Sequence, residues 1–328
     1  MVLKQPPRKI EVVAYDPKWP TLFQLEAEQI KRALGPNCIE IHHIGSTSIP
    51  GLSSKPIIDI LPVVRHIQEV DQATEAMRSL GYEAKGEYGI AFRRYFQKSG
   101  NTHTHHVHIF QDGDSEIVRH LKFRDWMRSH AADAKSYGQL KVELAKKFPY
   151  DILQYCNGKD AFIASIDAKD GYQGWRLVQA LSDREWIAVR HLRQKYFFKS
   201  KEDPYTWTFT HQDHIHFIFY KNVDIIGYTH LQLWPENRAA LRIIVIDEPY
   251  RHSGFGGQFL KLCERWLYHR KFKKLLIQSS QKAYEFYLRH GYTKMPFDDP
   301  DGYPTDPQDI EIGKWLTIDP MDRPKNSI

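Results

Sequence analysis

Two stretches of this 328-residue chain combine residue types that could hold an anion. The first is Arg251-His252-Ser253-Gly254-Phe255-Gly256-Gly257. It lies between an apolar run and an amphipathic helical pattern. Gly254 and Gly256 remove side chains where the backbone turns into the helix, so the free N–H groups of the first turn are open to a ligand. The helix dipole adds partial positive charge there, and Arg251 adds a formal one. A pyrophosphate suits such a turn; a structural turn built on glycine is the alternative. No G-x-x-x-x-G-K-[ST] loop occurs, and Phe259 stands where G-x-G-x-x-G would need its last glycine. The second stretch runs from Gly45-Ser46 to Asp59-Ile60. Gly45 and Ser46 could hold a phosphate through backbone N–H and hydroxyl, with Lys55 close by in sequence. Asp59 stands on an apolar strand, a carboxylate that needs a partner once buried. Magnesium or Lys55 could serve.

Histidines form a third group. His103, His105, His106 and His108 fall on a strand-like run, as do His211, His214 and His216. Alternate strand residues share a face, which leaves metal ligation open beside a plain polar-strand role.

The elements that must position these residues divide into two sets. In the first, Phe23, Ala27, Ile30 and Leu34 recur at helical spacing after Pro20, and Gly35-Pro36 stops the helix. Strands are expected at 39–44, 56–61, 88–97 and 106–110, a helix over 70–80, and helical stretches over 123–130, 134–148 and 161–166. The polar, glycine-bearing run 167–174 reads as a boundary. The second set predicts a helix over 183–195, then strands over 215–220, 225–233 and 241–246. After these come a helix beyond Gly254, a strand over 275–277, a helix over 283–290 and a strand over 310–315. The expected fold class is α/β (α+β) in two domains: 1–168, a linker 169–182, 183–320, and a tail 321–328.

Bulk properties agree with a folded chain: 41% hydrophobic and 26% charged residues. No apolar run is long enough for a membrane span, and the first residues lack a signal-peptide pattern. Three scattered cysteines argue against a disulfide framework and for a cytoplasmic setting. The net charge of +6 suits a phosphate-rich ligand or a solvated basic surface. No recognised nucleic-acid-binding pattern is present.

Two resemblances sharpen this. Residues 175–320 resemble the GNAT acetyltransferase superfamily, whose signature [Q/R]-x-x-G-x-[G/A] is matched by Arg251-x-x-Gly254-x-Gly256. Its closing motif A-x-x-F-Y-x-x-x-G-[F/Y] is matched by Ala283, Phe286, Tyr287, Gly291 and Tyr292. The resemblance implies a mixed sheet flanked by helices, with acetyl-CoA or another acyl-CoA as cofactor. Pantetheine would lie along Ile244-Val245-Ile246 and pyrophosphate over Arg251–Gly257. An amine, on a small molecule or a protein, would attack the thioester directly, and Tyr287 would protonate the leaving thiolate. Ser279 falls where relatives carry a cofactor-holding asparagine. The general base stays open among Glu311, His230, His214 and water.

Residues 10–166 resemble the GrpB family, through Gly45-Ser46-Thr47-x-Ile49-Pro50-Gly51-Leu52-x-x-Lys55-Pro56-Ile57-Ile58-Asp59-Ile60. This implies a nucleotidyltransferase-like mixed sheet with helices, a phosphate contact at Gly45, Ser46 and Lys55, and metal at Asp59. The second acid of that fold's D-x-D pair is Leu61 here, and His106 and His108 stand where a third acid would be sought. Nucleotide binding is therefore favoured over nucleotidyl transfer. The expected function is an acetyl-CoA-dependent N-acetyltransferase fused to a phosphate- or nucleotide-binding module. A non-catalytic CoA- or nucleotide-binding regulator is the alternative. Homo-oligomerisation is left open.

Overall fold

A computed structural model describes residues 8–98, 100, 103–303 and 306–317. The tail expected over 321–328 lies outside them. The chain forms two compact units, 1–176 with 221–223, and 177–220 with 224–328.

In the first unit, α1 (Trp19–Leu34) starts with Pro20 in its first turn and buries Trp19, Phe23, Ala27, Ile30 and Leu34, the apolar stripe of the sequence. These residues pack on a five-stranded sheet of order β1 (Cys38–Ile44), β2 (Ile58–Val64), β5 (His105–Gln111), β4 (Arg94–Lys98), β3 (Tyr82–Ala84). Only β2 and β5 run parallel; the other neighbours are antiparallel. Ile58, Ile60, Val107 and Ile109 point to the α1 side. Asp59, His106 and His108 therefore project to the opposite face. Three helices follow: α3 (Ser115–Ser129), α4 (Ala131–Lys147) and α5 (Ile152–Lys169).

Two expected elements change. The helix over 70–80 is a 3-10 turn, Ile67–Asp71, followed by a short α2, Thr74–Ser79; Val70 and Met77 both reach the core with a break between them. The strand over 88–97 shrinks to β4, because Tyr88 and Phe92 have φ of 48° and 68°, which strand residues do not adopt. Arg93 closes that turn by donating to Glu87 O (3.1 Å) and Tyr88 O (2.7 Å).

The second unit carries a seven-stranded sheet of order β11 (Thr293–Lys294), β12 (Ile310–Trp315), β10 (Lys274–Ser279), β9 (Arg238–Ile246), β8 (Asp224–Trp234), β7 (His214–Lys221), β6 (Trp175–Gln179). The strand β6 lies inside the stretch read as a linker. Helix α6 (Asp183–Arg193) opens on a Ser182–Glu185 capping box. It packs Val189 and Leu192 against Ile218, Tyr220 and Tyr228. Alternate residues face the other way, where Phe217 and Phe219 meet Trp266 and Phe259 of α7 (Phe255–His269). Helix α8 (Gln281–Arg289) follows β10. No described helix is long and apolar enough to cross a membrane.

Candidate functional site

The strands β9 and β10 pair in parallel only at Arg238, Ala239 and Ala240 against Lys274, Leu275 and Leu276. Beyond Ala240 and Leu276 they part, although β9 continues to Ile246 and β10 to Ser279. On that edge Ile244, Val245 and Ile246 keep their β8 partners but have no β10 partner. The chain then passes through Glu248–Tyr250 into Arg251–Gly254 and α7. Gly254 is the N-cap with φ 79°, a left-handed conformation that glycine adopts without steric cost. Arg251, His252, Ser253 and Gly254 are exposed, and no side chain caps the helix. The Arg251 guanidinium donates from Nε to Ile246 O (2.9 Å) and stacks over Tyr196, which fixes it beside the turn.

The glycines there separate into two kinds. A Cβ at Gly257 would lie 2.4 Å from His290 Nε2, so a side chain there would force the His290 ring to move. A Cβ at Gly256 would meet nothing closer than 3.5 Å. Glycine costs a helix about 1 kcal/mol relative to alanine, and internal packing gives no reason for it at Gly256. Phe255, at the helix start, is half-buried.

Tyr287, on α8, is 6% exposed and sits edge-on to Phe286 and Tyr292. Burial, then Cys263, pushes its phenol above the usual range, so it is protonated at neutral pH. The Ser279 hydroxyl is buried and donates to Ser280 O (3.0 Å), which commits it inside the chain.

A cavity of about 280 Å³ opens beside the parted strands. Aromatic rings (Phe197, Phe198, Tyr205, Trp207, Phe297, Tyr303) dominate its wall, with Leu241, Ile243 and Gln278 from β9 and β10. His214 and His230 also line it, 2.7 Å apart from Nδ1 to Nε2. His230 stacks on His216, whose Nδ1 lies 2.8 Å from the Tyr228 hydroxyl. Arg193 donates to that hydroxyl and to Asp203. Burial lowers all three histidines: His214 to about 4, His216 to about 3, and His230 well below the usual value. They are neutral at physiological pH. Spacing singled out His211, His214 and His216 as a metal question; among the described residues His214 and His216 instead join His230 in a buried imidazole cluster, and His211 is exposed beside it. Glu311 accepts from Phe297 N–H (3.2 Å) and does not line the cavity. Within the acidic run 298–309, Asp299 accepts from Arg242 and Asp301 from Gln232. Those two carboxylates are already paired.

In the first unit, β2 and β5 bring Asp59 opposite His106, with His108 two residues on along the same face. His106 Nδ1 and His108 Nε2 lie 3.4 and 3.5 Å from Asp59 Oδ1. Burial pushes the Asp59 carboxyl up, but hydrogen bonds from both imidazoles outweigh it and hold it far below the carboxylate range. Those ligand separations match the edge of a tetrahedral zinc-type site, about 3.3 Å for ligands at about 2.0 Å. Magnesium, expected at Asp59, prefers an all-oxygen octahedron and fits two imidazoles poorly. Arg93 Nη1 stands 3.2 Å from His108 Nδ1. A guanidinium only donates, so that nitrogen accepts and the imidazole proton sits on Nε2, facing Asp59. Burial lowers His108 to about 4.

Gly45 packs on this carboxylate. A Cβ there would lie 2.3 Å from Asp59 Oδ2, and its φ is 66°. Arg128 donates to Ser48 O from Nε and Nη2 (3.0 and 2.8 Å), clamping the loop that carries Ser46. Lys55, half-buried before β2, lies 5.2 Å from the Tyr155 ring centre. Two residues absent from the sequence expectations share its surroundings: Lys141 on α4 and Lys159 on α5. Each lies on the inward stripe of its helix: Lys141 between buried Tyr137 and Leu144, and Lys159 between buried Tyr155 and half-buried Ile163 of the core cluster.

Comparison with known proteins agrees with both halves. The family model for GrpB protein matches residues 9–169, and that for the acetyltransferase (GNAT) family matches residues 186–292. The chain is 50% identical over 171 residues to UPF0157 protein YqkA of Bacillus subtilis, covering 52% of this chain and 49% of that protein. It therefore spans about half the length of that relative. UPF0157 protein BH1888 of Halalkalibacterium halodurans is 35% identical over 164 residues, half of this chain and 84% of its own length. A crystal structure of the conserved protein GrpB from Enterococcus faecalis is 45% identical, covers 49% of this chain and 96% of that one, and superposes with a TM-score of 0.47.

Two outcomes follow from this geometry. Gly45→Ala destabilises the first unit by on the order of 3 kcal/mol, read as a lower urea midpoint, because both φ and the Asp59 contact oppose a methyl group. The histidine cluster makes the second unit acid-sensitive. Each folded pKa lies below the unfolded value near 6.5, so the unfolded chain takes up protons first. Stability is full above about pH 6.5 and falls as pH drops toward 4. A melting temperature measured at steps through that window should fall, and His216→Gln should fall less.

Proposed function

The chain belongs to the GrpB family through its N-terminal half and carries a GNAT-family acetyltransferase domain in its C-terminal half; from that premise we propose that it is an acetyl-CoA-dependent N-acetyltransferase joined to a phosphate- or nucleotide-binding module. The observation that carries this reading is Gly256. It is a helical glycine at which a Cβ would meet only ordinary contacts with Phe286 and Ile246, in an uncapped helix start next to strands that have already parted. Close approach of a ligand to the backbone accounts for the glycine, and a pyrophosphate suits the exposed N–H groups. The free edge of Ile244-Val245-Ile246 would take the amides of the pantetheine arm.

In this mechanism an amine in the aromatic-walled cavity attacks the thioester carbonyl. The new C–N bond forms as the carbonyl becomes an oxyanion, and the C–S bond then breaks. Tyr287, kept protonated by burial, delivers its proton to the departing thiolate. The attacking nitrogen becomes strongly acidic once bonded to carbon, so even a weak base can take its proton. Among the expected bases, His214 and His230 line the cavity and Glu311 does not. The aromatic wall favours an acceptor with an apolar body, and Asp309, which also lines the cavity, would face its amine.

The GrpB half offers a single carboxylate, Asp59, flanked by imidazoles, and Leu61 is buried in the position of a second acid. This supports binding in that half rather than nucleotidyl transfer. A metal at Asp59, His106 and His108 would be a transition ion. It would have to displace the His108 proton that faces Asp59.

Thiol release from acetyl-CoA across an amine panel tests the catalytic reading. Tyr287→Phe should lower kcat about 100-fold and leave the acetyl-CoA KM within about twofold. Undiminished turnover would remove Tyr287 from the reaction. Gly256→Val should fold with a near-normal melting temperature and lose at least tenfold in acetyl-CoA affinity, read by titration calorimetry. Unchanged affinity would place the cofactor elsewhere.

A further inference from the structure

The mechanism uses none of the lysines gathered beside Asp59. The Lys55 and Lys159 ammonium groups lie 5.2 and 4.8 Å from the centre of one ring, Tyr155, and Lys141 lies 4.7 Å from the neighbouring ring of Tyr137. Lys141 is 3% exposed, and its Nζ has no hydrogen-bond partner among the described residues. No ion pair among the described residues involves any of the three. Among the described residues, Asp59 is a carboxylate that acts on all three. Arg8 adds further positive field at Lys55. Lysines are almost never buried without a partner, because desolvating an ammonium beside like charges is costly. Burial, then Lys159, pulls Lys141 down to about 7. At Lys141 the aromatic face offsets only part of this cost, whereas at Lys159 burial is outweighed by Tyr137, Cys156, Tyr155 and Asp59, which raise the ammonium.

The charges leave a defined remainder. With all three lysines protonated, three ammonium groups against the Asp59 carboxylate leave an excess of two positive charges, and His108 is a neutral donor to Asp59. A phosphate monoester carries about −1.5 to −2 near neutral pH and offers three strong acceptor oxygens. One such group would neutralise the excess and give Lys141 the acceptor it lacks. Lys55 and Lys159 are only half-buried, which leaves the approach from solvent open. The Ser46 hydroxyl, on the loop that packs Gly45 against Asp59, is also uncommitted among the described residues.

We propose that Lys55, Lys141 and Lys159 form the anion cage of the GrpB half and that its ligand is a phosphate monoester. This deepens the reading of that half as a phosphate-binding module and rests on it.

The test is titration calorimetry on the full chain with inorganic phosphate, AMP and adenosine at fixed ionic strength, with melting curves of the ligand-free proteins. Wild-type protein should bind phosphate and AMP but not adenosine. Equal affinities would identify the phosphate group as the whole ligand, and tighter AMP binding would identify a nucleotide; both support the cage. Lys141→Met and Lys159→Met should each weaken binding at least tenfold. Ligand-free Lys141→Met should melt higher than wild type, since it removes an unpaired buried charge, whereas a purely structural lysine would make it melt lower. A lower melting point with unchanged phosphate affinity overturns the cage. Binding that survives both lysine variants but is lost in Ser46→Ala overturns the cage and leaves the phosphate module standing. Absence of binding by phosphate and AMP overturns both.

Discussion

A β-strand sends successive side chains to opposite faces, and both halves of this chain depend on that constraint. In β2 and β5 the isoleucines and valines at 58, 60, 107 and 109 go to the core under α1. The intervening Asp59, His106 and His108 cannot follow them and meet on the other face. In β7, Phe217 and Phe219 pack on α7, while His214, His216, Ile218 and Tyr220 face α6. Apolar burial thus selects one face of each sheet, and the other inherits polar groups brought close by the pairing register.

Those polar groups are then kept neutral or paired in different ways. The second unit buries imidazoles in their uncharged form and links them to Tyr228 and, through it, to the Arg193–Asp203 pair. The first unit keeps a carboxylate charged by giving it two imidazole donors, and leaves the buried Lys141 ammonium with no hydrogen-bond acceptor among the described residues. Buried charge without a counterion is a cost to stability, tolerated where binding requires it. The two halves therefore differ in which groups remain uncompensated, although both are mixed sheets with helices.

Much of this was legible in the sequence where the signal is local. Arg251-x-x-Gly254-x-Gly256 showed its helix start because the motif and the helix are contiguous. Asp59, His106 and His108 showed their faces through alternation, although only the β2–β5 register brings them together. The parted strands were not legible, because they depend on pairing between residues far apart in sequence. Lys141 and Lys159 were missed although they share the apolar stripes of Tyr137–Leu144 and Tyr155–Ile163, because the charge reads as surface and their neighbour Lys55 is about a hundred residues away. The strand Trp175–Gln179 was read as linker because five residues carry too little alternation. The Tyr88–Phe92 turn looked like strand because its aromatic residues favour strands, until Arg93 and its two carbonyl acceptors imposed positive φ.

The parting of β9 from β10 also works as a ruler. Pairing ends at Ala240 and Leu276, and each strand residue advances about 3.3 Å. The six residues from there to Ile246 span about 20 Å, closing on the helix start that follows. A thread-like ligand anchored by its charged end at Gly254–Gly257 would therefore be metered by the strand, with its far end set at a fixed depth near the fork. Slipping the register by one residue would shift that depth by the length of two covalent bonds or more. Reactivity would then be lost with every functional side chain still in place, which makes the backbone fork, rather than any single residue, the element that fixes reach.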